Sequence, residues 1–412
     1  MTESKRAALA LSVATTTARQ PLRVALANPF CWPWVRRGSE RMLQLMSSGL
    51  AARGHRVTVY ASAPVAGTEQ RGVVQYRLLR QRHLLRKRQL GLCHAYAWEL
   101  IDALRWAEAD TVWCLSYFDA WAAVRARELG ARHRVVFHTM GIPTRSYFRS
   151  VPLDAWFMRR ALAGADTVLT LSCFASDSLR RGFGVNAQVL PGLVDASAFV
   201  TPATAGSSGP GTLLFVGDLD EPRKGAALVC RAFVALQNQR PGLRLQLSGA
   251  ASPATRKRLL SLPGMGPLTH AVDFLGLGRV EDLPALYAAA RVTILPAVWE
   301  AFGLVLLESL AAGTPVVGAR HAGIPDIVTG DPALGALFDP ESGASDDAVV
   351  DPHHVGLQAA NLVGLIQAIA RVLDRPHTDT DRGVCRARAR ACTWEALAPR
   401  YEALLTGAQD SP

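Results

Sequence analysis

The sequence predicts an α/β protein built from two doubly wound domains of similar size with a cleft between them. Short apolar runs alternate with helical patterns through both halves, which is typical of parallel sheets covered by helices. A segment rich in Ser, Pro and Gly at 201–211 interrupts the alternation near the midpoint and indicates a linker. With 412 residues, 49% of them hydrophobic, the chain is long and apolar enough for two or three domains, and a mostly disordered protein is excluded.

The first half starts with an apolar strand at 22–27, followed by a loop and a helix. Apolar residues between 42 and 50 share one face of that helix, and Gly54 suits the left-handed residue that ends it. We expect residues 1–20 to be a disordered tail and 21–200 to form the first domain. Further strands are expected at 57–60, 111–114, 135–138 and 167–171, with helices at 94–108, 119–129 and 154–163.

The second half repeats this alternation, and we place the second domain at 201–390. Ser252 and Pro253 suit the N-cap and first position of a helix. Residues 391–412 hold a further helical pattern despite Pro399, and we expect this C-terminal helix to pack back on the first domain. Strands are expected at 213–216, 243–247, 292–295 and 316–317, with helices at 226–237, 253–262, 283–290 and 304–312.

The net charge of +11 is concentrated in the first half of the chain. Residues 1–200 hold 27 basic and 13 acidic residues, whereas residues 201–412 hold 18 and 21. A basic segment of this kind suits contact with an anionic lipid, a nucleic acid or an acidic substrate, or its charges belong to a solvated surface. The stretch 77–88 combines six basic residues with four leucines, so it is either a contact for an anionic membrane or a solvated basic face.

Composition argues against several other classes of protein. Seven scattered cysteines show neither CxxC nor Cys/His ligand spacing, so we expect no zinc site and no disulfide framework. No apolar run approaches the roughly 20 residues that a membrane-spanning helix needs. The basic residues are not interleaved with aromatic ones in any known module, so we expect no nucleic-acid partner.

The most informative stretch is 292–328, which predicts a strand, a loop with Glu300 and a helix that ends before Gly313. The first turn of a helix has free N–H groups that favour an anion, and Gly303 permits its close approach. Carboxylates such as Glu300 and Glu308 accept hydrogen bonds from sugar hydroxyls. A ligand that combines an anion with sugars corresponds to a nucleotide sugar. The expected anion-binding amides belong to Phe302, Gly303, Leu304 and Val305.

This stretch resembles the donor-site signature of the family 4 glycosyltransferases, which are retaining enzymes of the GT-B fold. Two glutamates separated by seven residues, with Phe-Gly soon after the first, mark that signature, and Glu300 and Glu308 fit it. The resemblance implies that Glu300 contacts the hydroxyls of the donor sugar and that Glu308 holds the ribose. It also implies that the amides of 302–305 meet the sugar and the diphosphate.

The resemblance continues at 215–225, where the family has a diphosphate-binding Lys before a Gly. It implies that Lys224 binds the diphosphate, and a lysine suits a phosphate as a point charge. The family usually has Arg at the position of Asp218, and a carboxylate repels phosphate at close range. Either Arg223 substitutes for that Arg, or donor binding is altered, or the site is weakened.

Three further positions match the family. His138 ends a predicted strand that faces the cleft, and the resemblance places it beside the reacting sugar, where it orients the sugar and stabilises an oxocarbenium-like state. Gly38 opens a loop that is similar to the family's Gly-Gly loop, which approaches the diphosphate from the opposite wall. Arg279 lies in a loop similar to the one beside the nucleotide base.

The resemblance implies a retaining glycosyltransferase that moves a sugar from a nucleotide diphosphate sugar to a small-molecule, secondary-metabolite or lipid-linked acceptor. Lys224, Arg223 and the helix amides would meet the charge of the diphosphate, so we expect no essential metal and no cofactor besides the co-substrate. Trp32 and Trp34 either stack on the acceptor or pack within their loop. We expect a cytoplasmic protein, with peripheral contact at the inner membrane face as an open possibility.

Three alternatives remain at this stage. One is a phosphoinositide mannosyltransferase at the membrane surface, similar to the phosphatidylinositol mannosyltransferases. Another is a nucleotide-sugar 2-epimerase on the same fold. The last is a sugar-nucleotide-binding protein with weakened catalysis, which the acidic residue Asp218 motivates.

Overall fold

The structure is a computed structural model that describes residues 20–82, 89–200, 211–340 and 361–407, without the side chains of residues 89 and 90. It contains two α/β sheets, one on each side of the linker region, and the predicted GT-B fold class is confirmed. All seven cysteines are free thiols.

The first sheet has eight strands in the order β3-β4-β2-β1-β5-β6-β7-β8. Its neighbouring strands are parallel except for β3, which pairs antiparallel with β4 at one edge. This edge hairpin was not predicted, because the basic residues from Arg77 onward were interpreted as a charged surface segment. The strands are β1 Arg23–Ala27, β2 Arg56–Ala63, β3 Gly67–Arg71, β4 Val74–Arg80, β5 Thr111–Cys114, β6 Arg134–Thr139, β7 Thr167–Thr170 and β8 Gln188–Val189.

Helices cover both faces of this sheet. The third of them begins with a capping box, in which the Ser116 hydroxyl accepts from the Asp119 N–H and the Asp119 carboxylate accepts from the Ser116 N–H. The helices are α1 Gly38–Ala52, α2 Gln89–Arg105, α3 Tyr117–Glu128, α4 Arg145–Ser150, α5 Pro152–Gly164 and α6 Cys173–Phe183.

The second sheet has six parallel strands in the order β11-β10-β9-β12-β13-β14. The strands are β9 Thr212–Val216, β10 Arg244–Ser248, β11 Val272–Gly276, β12 Val292–Leu295, β13 Val316–Ala319 and β14 Gly335–Phe338. The helices are α7 Ala226–Gln237, α8 Pro253–Leu260, α9 Leu283–Ala289, α10 Leu304–Ala311, α11 Leu362–Asp374, α12 Asp379–Arg390 and α13 Trp394–Thr406.

The strand order of each sheet determines where a ligand binds. In the first sheet the order reverses between β1 and β5, and in the second between β9 and β12. Ligands of doubly wound sheets bind beyond the carboxyl ends of the strands at such a reversal. The loops that follow these four strands line the space between the two sheets.

The last helix, α13, contacts the first domain. Its Tyr401 ring stacks on Trp113 of β5 with the ring centroids 5.1 Å apart, and the Thr111 hydroxyl donates to the Leu405 carbonyl at 2.9 Å. The chain therefore crosses between the domains a second time just before α13. The two crossings lie side by side, because the Val194 N–H donates to the Cys392 carbonyl at 3.0 Å.

Candidate active site

Two adjoining cavities lie between the sheets. The larger has a volume of about 630 Å³ and the smaller about 150 Å³. Both are lined by residues of the first domain and by residues of the second. They share four lining residues, which are Ser39, Met140, Glu300 and Ala301. The cavities therefore meet at the loop that carries Glu300.

The smaller cavity brings together most of the predicted donor-binding residues. Gly303 precedes α10 with φ of 101°, a left-handed conformation that favours glycine. A Cβ on Gly38 would lie 3.1 Å from the Leu304 Cδ1, so the two walls approach closely here. The predicted residues in this lining are Gly38, Lys224, Glu300, Phe302, Gly303, Leu304 and Val305.

Lys224 and Glu300 form an ion pair at the junction of the two cavities. The Lys224 Nζ lies 2.5 Å from the Glu300 Oε2, and the two side chains are 19% and 16% exposed. Burial opposes ionisation of Glu300, but the nearby Lys224 and Arg223 charges and the Phe302 N–H outweigh it, so its pKa is below the ordinary value. The site therefore contains a carboxylate and an ammonium group within reach of one ligand.

Arg223 lies beside this pair but points toward the larger cavity. Its guanidinium binds the Glu221 carboxylate through Nε and Nη2, and its Nη1 donates to the Trp299 carbonyl at 2.8 Å. Glu221, Arg223 and Trp299 all line the larger cavity. These contacts hold the guanidinium next to Glu300, which also lines that cavity.

Glu308 is buried on α10 and has partners from both domains. Its Oε1 lies 2.6 Å from Nη2 of Arg41 on α1, and its Oε2 accepts from the Tyr287 hydroxyl at 2.8 Å. Burial raises the pKa of Glu308, although Arg41 and Tyr287 partly offset this effect. Glu308 is absent from the linings of both cavities, and its predicted contact with the ribose stays a prediction.

Asp218 does not line either cavity. It is exposed after β9, and its Oδ1 accepts from the Asp220 N–H at 2.9 Å. Asp220 in turn accepts from the Ser252 N–H and hydroxyl before α8. Asp218 therefore contributes to the turn that follows β9, and its predicted effect on diphosphate binding stays a prediction.

His138 lies in the core rather than at the surface of the cleft, which differs from our expectation. It is 0% exposed, and its Nε2 donates to the Leu190 carbonyl at 3.2 Å. Burial lowers the pKa of His138 to about 3, so the ring is neutral at pH 7. The next residues of the chain, Thr139, Met140 and Gly141, line the larger cavity instead. The predicted catalytic role of His138 stays a prediction.

Arg279 lies apart from the other predicted residues. Its side chain is 79% exposed, it pairs with Glu281 at 3.4 Å, and it lines neither cavity. Trp32 and Trp34 also lie outside both linings. The Arg36 guanidinium lies 5.1 Å from the Trp32 ring centre, and the Arg71 guanidinium lies 5.3 Å from the Trp34 ring centre. Each tryptophan therefore packs against a nearby arginine.

The larger cavity contains a group of apolar and aromatic residues that sequence reasoning missed. We call this group the aromatic wall, and it consists of Tyr117, Phe118, Tyr147, Phe148 and Met158. These residues come from the start of α3 and from the consecutive helices α4 and α5, so they are spread over about 40 positions of the chain and share no regular spacing. Arg41 and Tyr287 were also missed, because their contacts with Glu308 join segments that are distant in the sequence. Arg41 does lie in the turn that begins at Gly38.

Two family models match the chain on either side of the linker. Residues 36–198 match the Glycosyltransferase Family 4 model, and residues 210–351 match the model described as Glycosyl transferases group 1. The chain belongs to the family 4 glycosyltransferases. The first segment holds strands β2 to β8 of the first sheet, and the second segment holds all six strands of the second sheet.

Several known proteins are similar to this chain. A glycogen synthase of Mycobacterium tuberculosis is 26% identical over 71% of this chain and 64% of its own length. A D-inositol 3-phosphate glycosyltransferase of Corynebacterium diphtheriae is 32% identical over 47% of this chain and 41% of its own length. The chain thus spans less than two thirds of these relatives. The sucrose-phosphate synthase structure from Thermosynechococcus elongatus superposes with a TM-score of 0.75 at 21% identity, over 94% of this chain and 99% of that one.

Two features are absent from the described residues. No helix there has the length and hydropathy needed to cross a membrane. No group of three or more His, Cys, Asp or Glu side chains in the same residues is arranged to hold a metal ion. Residues 83–88, which make up half of the basic stretch at 77–88, lie outside the described residues.

Proposed function

We propose that the protein transfers a sugar from a nucleotide diphosphate sugar to an acceptor, with retention of the anomeric configuration. The observation that carries this proposal is the Lys224–Glu300 pair at the start of α10, opposite Gly38 and at the junction of the two cavities. The ammonium and the helix amides suit a diphosphate, and the carboxylate suits sugar hydroxyls.

In this reaction the bond between the anomeric carbon and the diphosphate oxygen breaks, and a bond to the acceptor oxygen forms on the same face of the sugar. The acceptor proton passes to the departing phosphate oxygen, so atoms and charges balance. Lys224 stabilises the negative charge that develops on the diphosphate, and the N–H groups of 303–305 add to this effect. Glu300 orients the sugar through its hydroxyls.

The proposed reaction needs no essential metal ion. Lys224 and Arg223 supply two positive charges beside the cavities, and the start of α10 adds its free N–H groups. Donor binding in the presence of EDTA should therefore equal donor binding with magnesium. A requirement for magnesium would contradict this part of the proposal.

His138 enters the proposal as a positioning residue. Its bond to the Leu190 carbonyl fixes the end of β6, from which Thr139, Met140 and Gly141 extend into the cavity lining. His138→Gln retains a hydrogen-bond donor for the Leu190 carbonyl and should keep the affinity for the nucleotide sugar. His138→Ala loses this bond and should raise KM more than it lowers kcat. A loss of kcat alone in both variants would instead support direct catalysis by the imidazole.

The test is a calorimetric titration with UDP, GDP, dTDP and ADP, followed by an assay with the matching nucleotide sugars. The donor site predicts binding of one of these nucleotides, and NMR of the product should show the anomeric configuration of the donor. Nucleotide release that needs no acceptor and yields a 2-epimer would support the epimerase alternative. Binding without any turnover would support a sugar-nucleotide-binding protein.

A phosphoinositide acceptor predicts a further result in the same assay. Transfer to phosphatidylinositol in anionic vesicles, combined with sedimentation of the protein with those vesicles, would support the membrane-surface alternative. We place this alternative second because, in the described part of the larger cavity, the wall opposite Glu300 is aromatic rather than basic.

A further inference from the structure

We propose that the aromatic wall binds the ring system of an apolar, aromatic aglycone, and that this aglycone is the sugar acceptor. The inference rests on the proposed function, because it names the acceptor class for the same site. It depends on three properties of the larger cavity, which are the packing of its rings, the placement of its charges and its contact with Glu300.

The rings of the aromatic wall hold one another in fixed orientations. Tyr147 and Phe148 pack edge to face with centroids 5.1 Å apart, and Tyr117 packs against Phe148 in the same way at 5.6 Å. The Tyr117 hydroxyl donates to Asp154 at 2.8 Å, and the other oxygen of Asp154 lies 3.2 Å from the His94 Nε2. Phe118, Phe148 and Met158 are only 3%, 7% and 1% exposed, so they support the half-buried rings of Tyr117 and Tyr147 from behind. These two rings form an ordered surface, which binds a flat apolar ring without a further cost in side-chain entropy.

The charges of the cavity disfavour a phosphorylated acceptor. Among the described lining residues, only Arg37 and Arg223 are cationic. The Arg37 guanidinium lies 5.0 Å from the Phe30 ring centre and 3.8 Å from the Glu40 carboxylate, and Arg223 is bound by Glu221. A phosphate against the aromatic wall would have to compete with Glu40 or Glu221 for these cations, which disfavours its burial there.

The position and size of the cavity suit an acceptor of this class. Its volume of about 630 Å³ lies within the range of about 300–1,000 Å³ that is typical of clefts for drug-sized ligands. Glu300 lines both cavities, so a hydroxyl at the edge of a bound aglycone would lie next to the donor sugar. The aromatic wall and the proposed sugar position are thereby parts of one continuous space.

The experiment measures binding of 2-naphthol and 4-methylumbelliferone by fluorescence, and of glucose 6-phosphate and myo-inositol 1-phosphate by calorimetry. The two aromatic alcohols should bind at least tenfold more tightly than the two phosphates. Tyr147→Ala removes a partly exposed ring of the wall and should weaken 2-naphthol binding by about tenfold or more.

A second variant keeps the test valid if Tyr147→Ala folds poorly. A Cβ on Gly141 would meet nothing within 4 Å, so Gly141→Phe should fold and place its ring in the cavity. It should abolish 2-naphthol binding. Trp106→Ala removes a ring that is 76% exposed outside both linings and should leave binding unchanged.

The outcomes separate this inference from the proposed function. Tighter binding of either phosphate than of 2-naphthol, or 2-naphthol binding that survives both cavity variants, would overturn the aromatic acceptor while leaving nucleotide binding and sugar transfer in place. Absence of nucleotide binding, together with 2-naphthol binding that both variants weaken, would contradict the donor site and would support the aromatic specificity of the cavity.

Discussion

Substitution of Lys224 by Met should affect stability and catalysis by different amounts that can be separated. The Lys224 and Glu300 side chains are 19% and 16% exposed, so their pair is closer to a buried ion pair than to a surface pair. Breaking a buried pair costs about 3–5 kcal/mol, and a surface pair contributes about 1 kcal/mol or less. We therefore expect Lys224→Met to lower the free energy of unfolding by about 2–4 kcal/mol.

If Lys224 binds the diphosphate as we propose, the same variant should lower kcat/KM by about 10²–10³-fold, because it removes a positive charge that stabilises the departing group. The double variant Lys224→Met/Glu300→Gln no longer buries an unpaired carboxylate, so it should regain most of the stability but none of the activity. Urea unfolding and an initial-rate assay with the donor identified by titration measure the two effects. Lys257→Met, an exposed lysine on α8, is the matched control.

Two results would refute this reasoning. If the double variant recovered activity together with stability, the loss in the single variant would come from unfolding and not from the missing charge. If Lys224→Met kept both full activity and full nucleotide affinity, Lys224 would not bind the diphosphate, and the assignment of the smaller cavity as the donor site would be wrong.

Two further predictions concern stability. Burial raises the pKa of Asp119 to about 7 from its ordinary value of 3.8, so the folded state holds the carboxyl proton more tightly than the unfolded state does. Up to about 4 kcal/mol of stability is therefore present below pH 4 and is lost as the pH rises to about 7. Asp119→Asn should flatten the fall in Tm between pH 4 and 8, whereas the exposed control Asp102→Asn should not. A Cβ on Gly49 would lie 2.2–2.7 Å from the Trp394 indole, so Gly49→Ala should lower the free energy of unfolding by about 1–3 kcal/mol, as measured by urea unfolding. Gly383→Ala, with nothing within 4 Å of its Cβ, should raise that free energy by up to about 1 kcal/mol. Unchanged stability of Gly49→Ala would mean that Trp394 of α13 does not pack against Gly49 of α1.

The sequence predicted the parts of the site that depend on short segments of the chain. The strand, loop and helix at 292–312 form one continuous unit, and the glycines and glutamates in it have fixed spacing, so Glu300 and the start of α10 were located correctly in the fold. The fold class was predictable for the same reason, because alternation of strands and helices is a local pattern. Arg223 and Lys224 were also found through a short segment.

Contacts between distant segments could not be predicted in this way. The Arg41–Glu308 bond depends on how the two domains approach each other, and no pattern within either segment encodes that distance. The aromatic wall combines three helices of the first domain, so its residues show no common spacing. The burial of His138 depends on the distant segment around Leu190, whose carbonyl accepts a hydrogen bond from the histidine ring. The local pattern at the end of a strand does not show that such a segment lies there.

The paired crossings at Val194 and Cys392 restrict how the two domains can move. Two bodies that are joined at neighbouring points can turn about the line through those points, but they cannot slide apart. We therefore expect the cleft to open mainly by one rotation, about the line through the two crossings. If the proposed donor and acceptor enter and leave through this rotation, a substitution that stiffens the crossings should slow substrate entry and product release together.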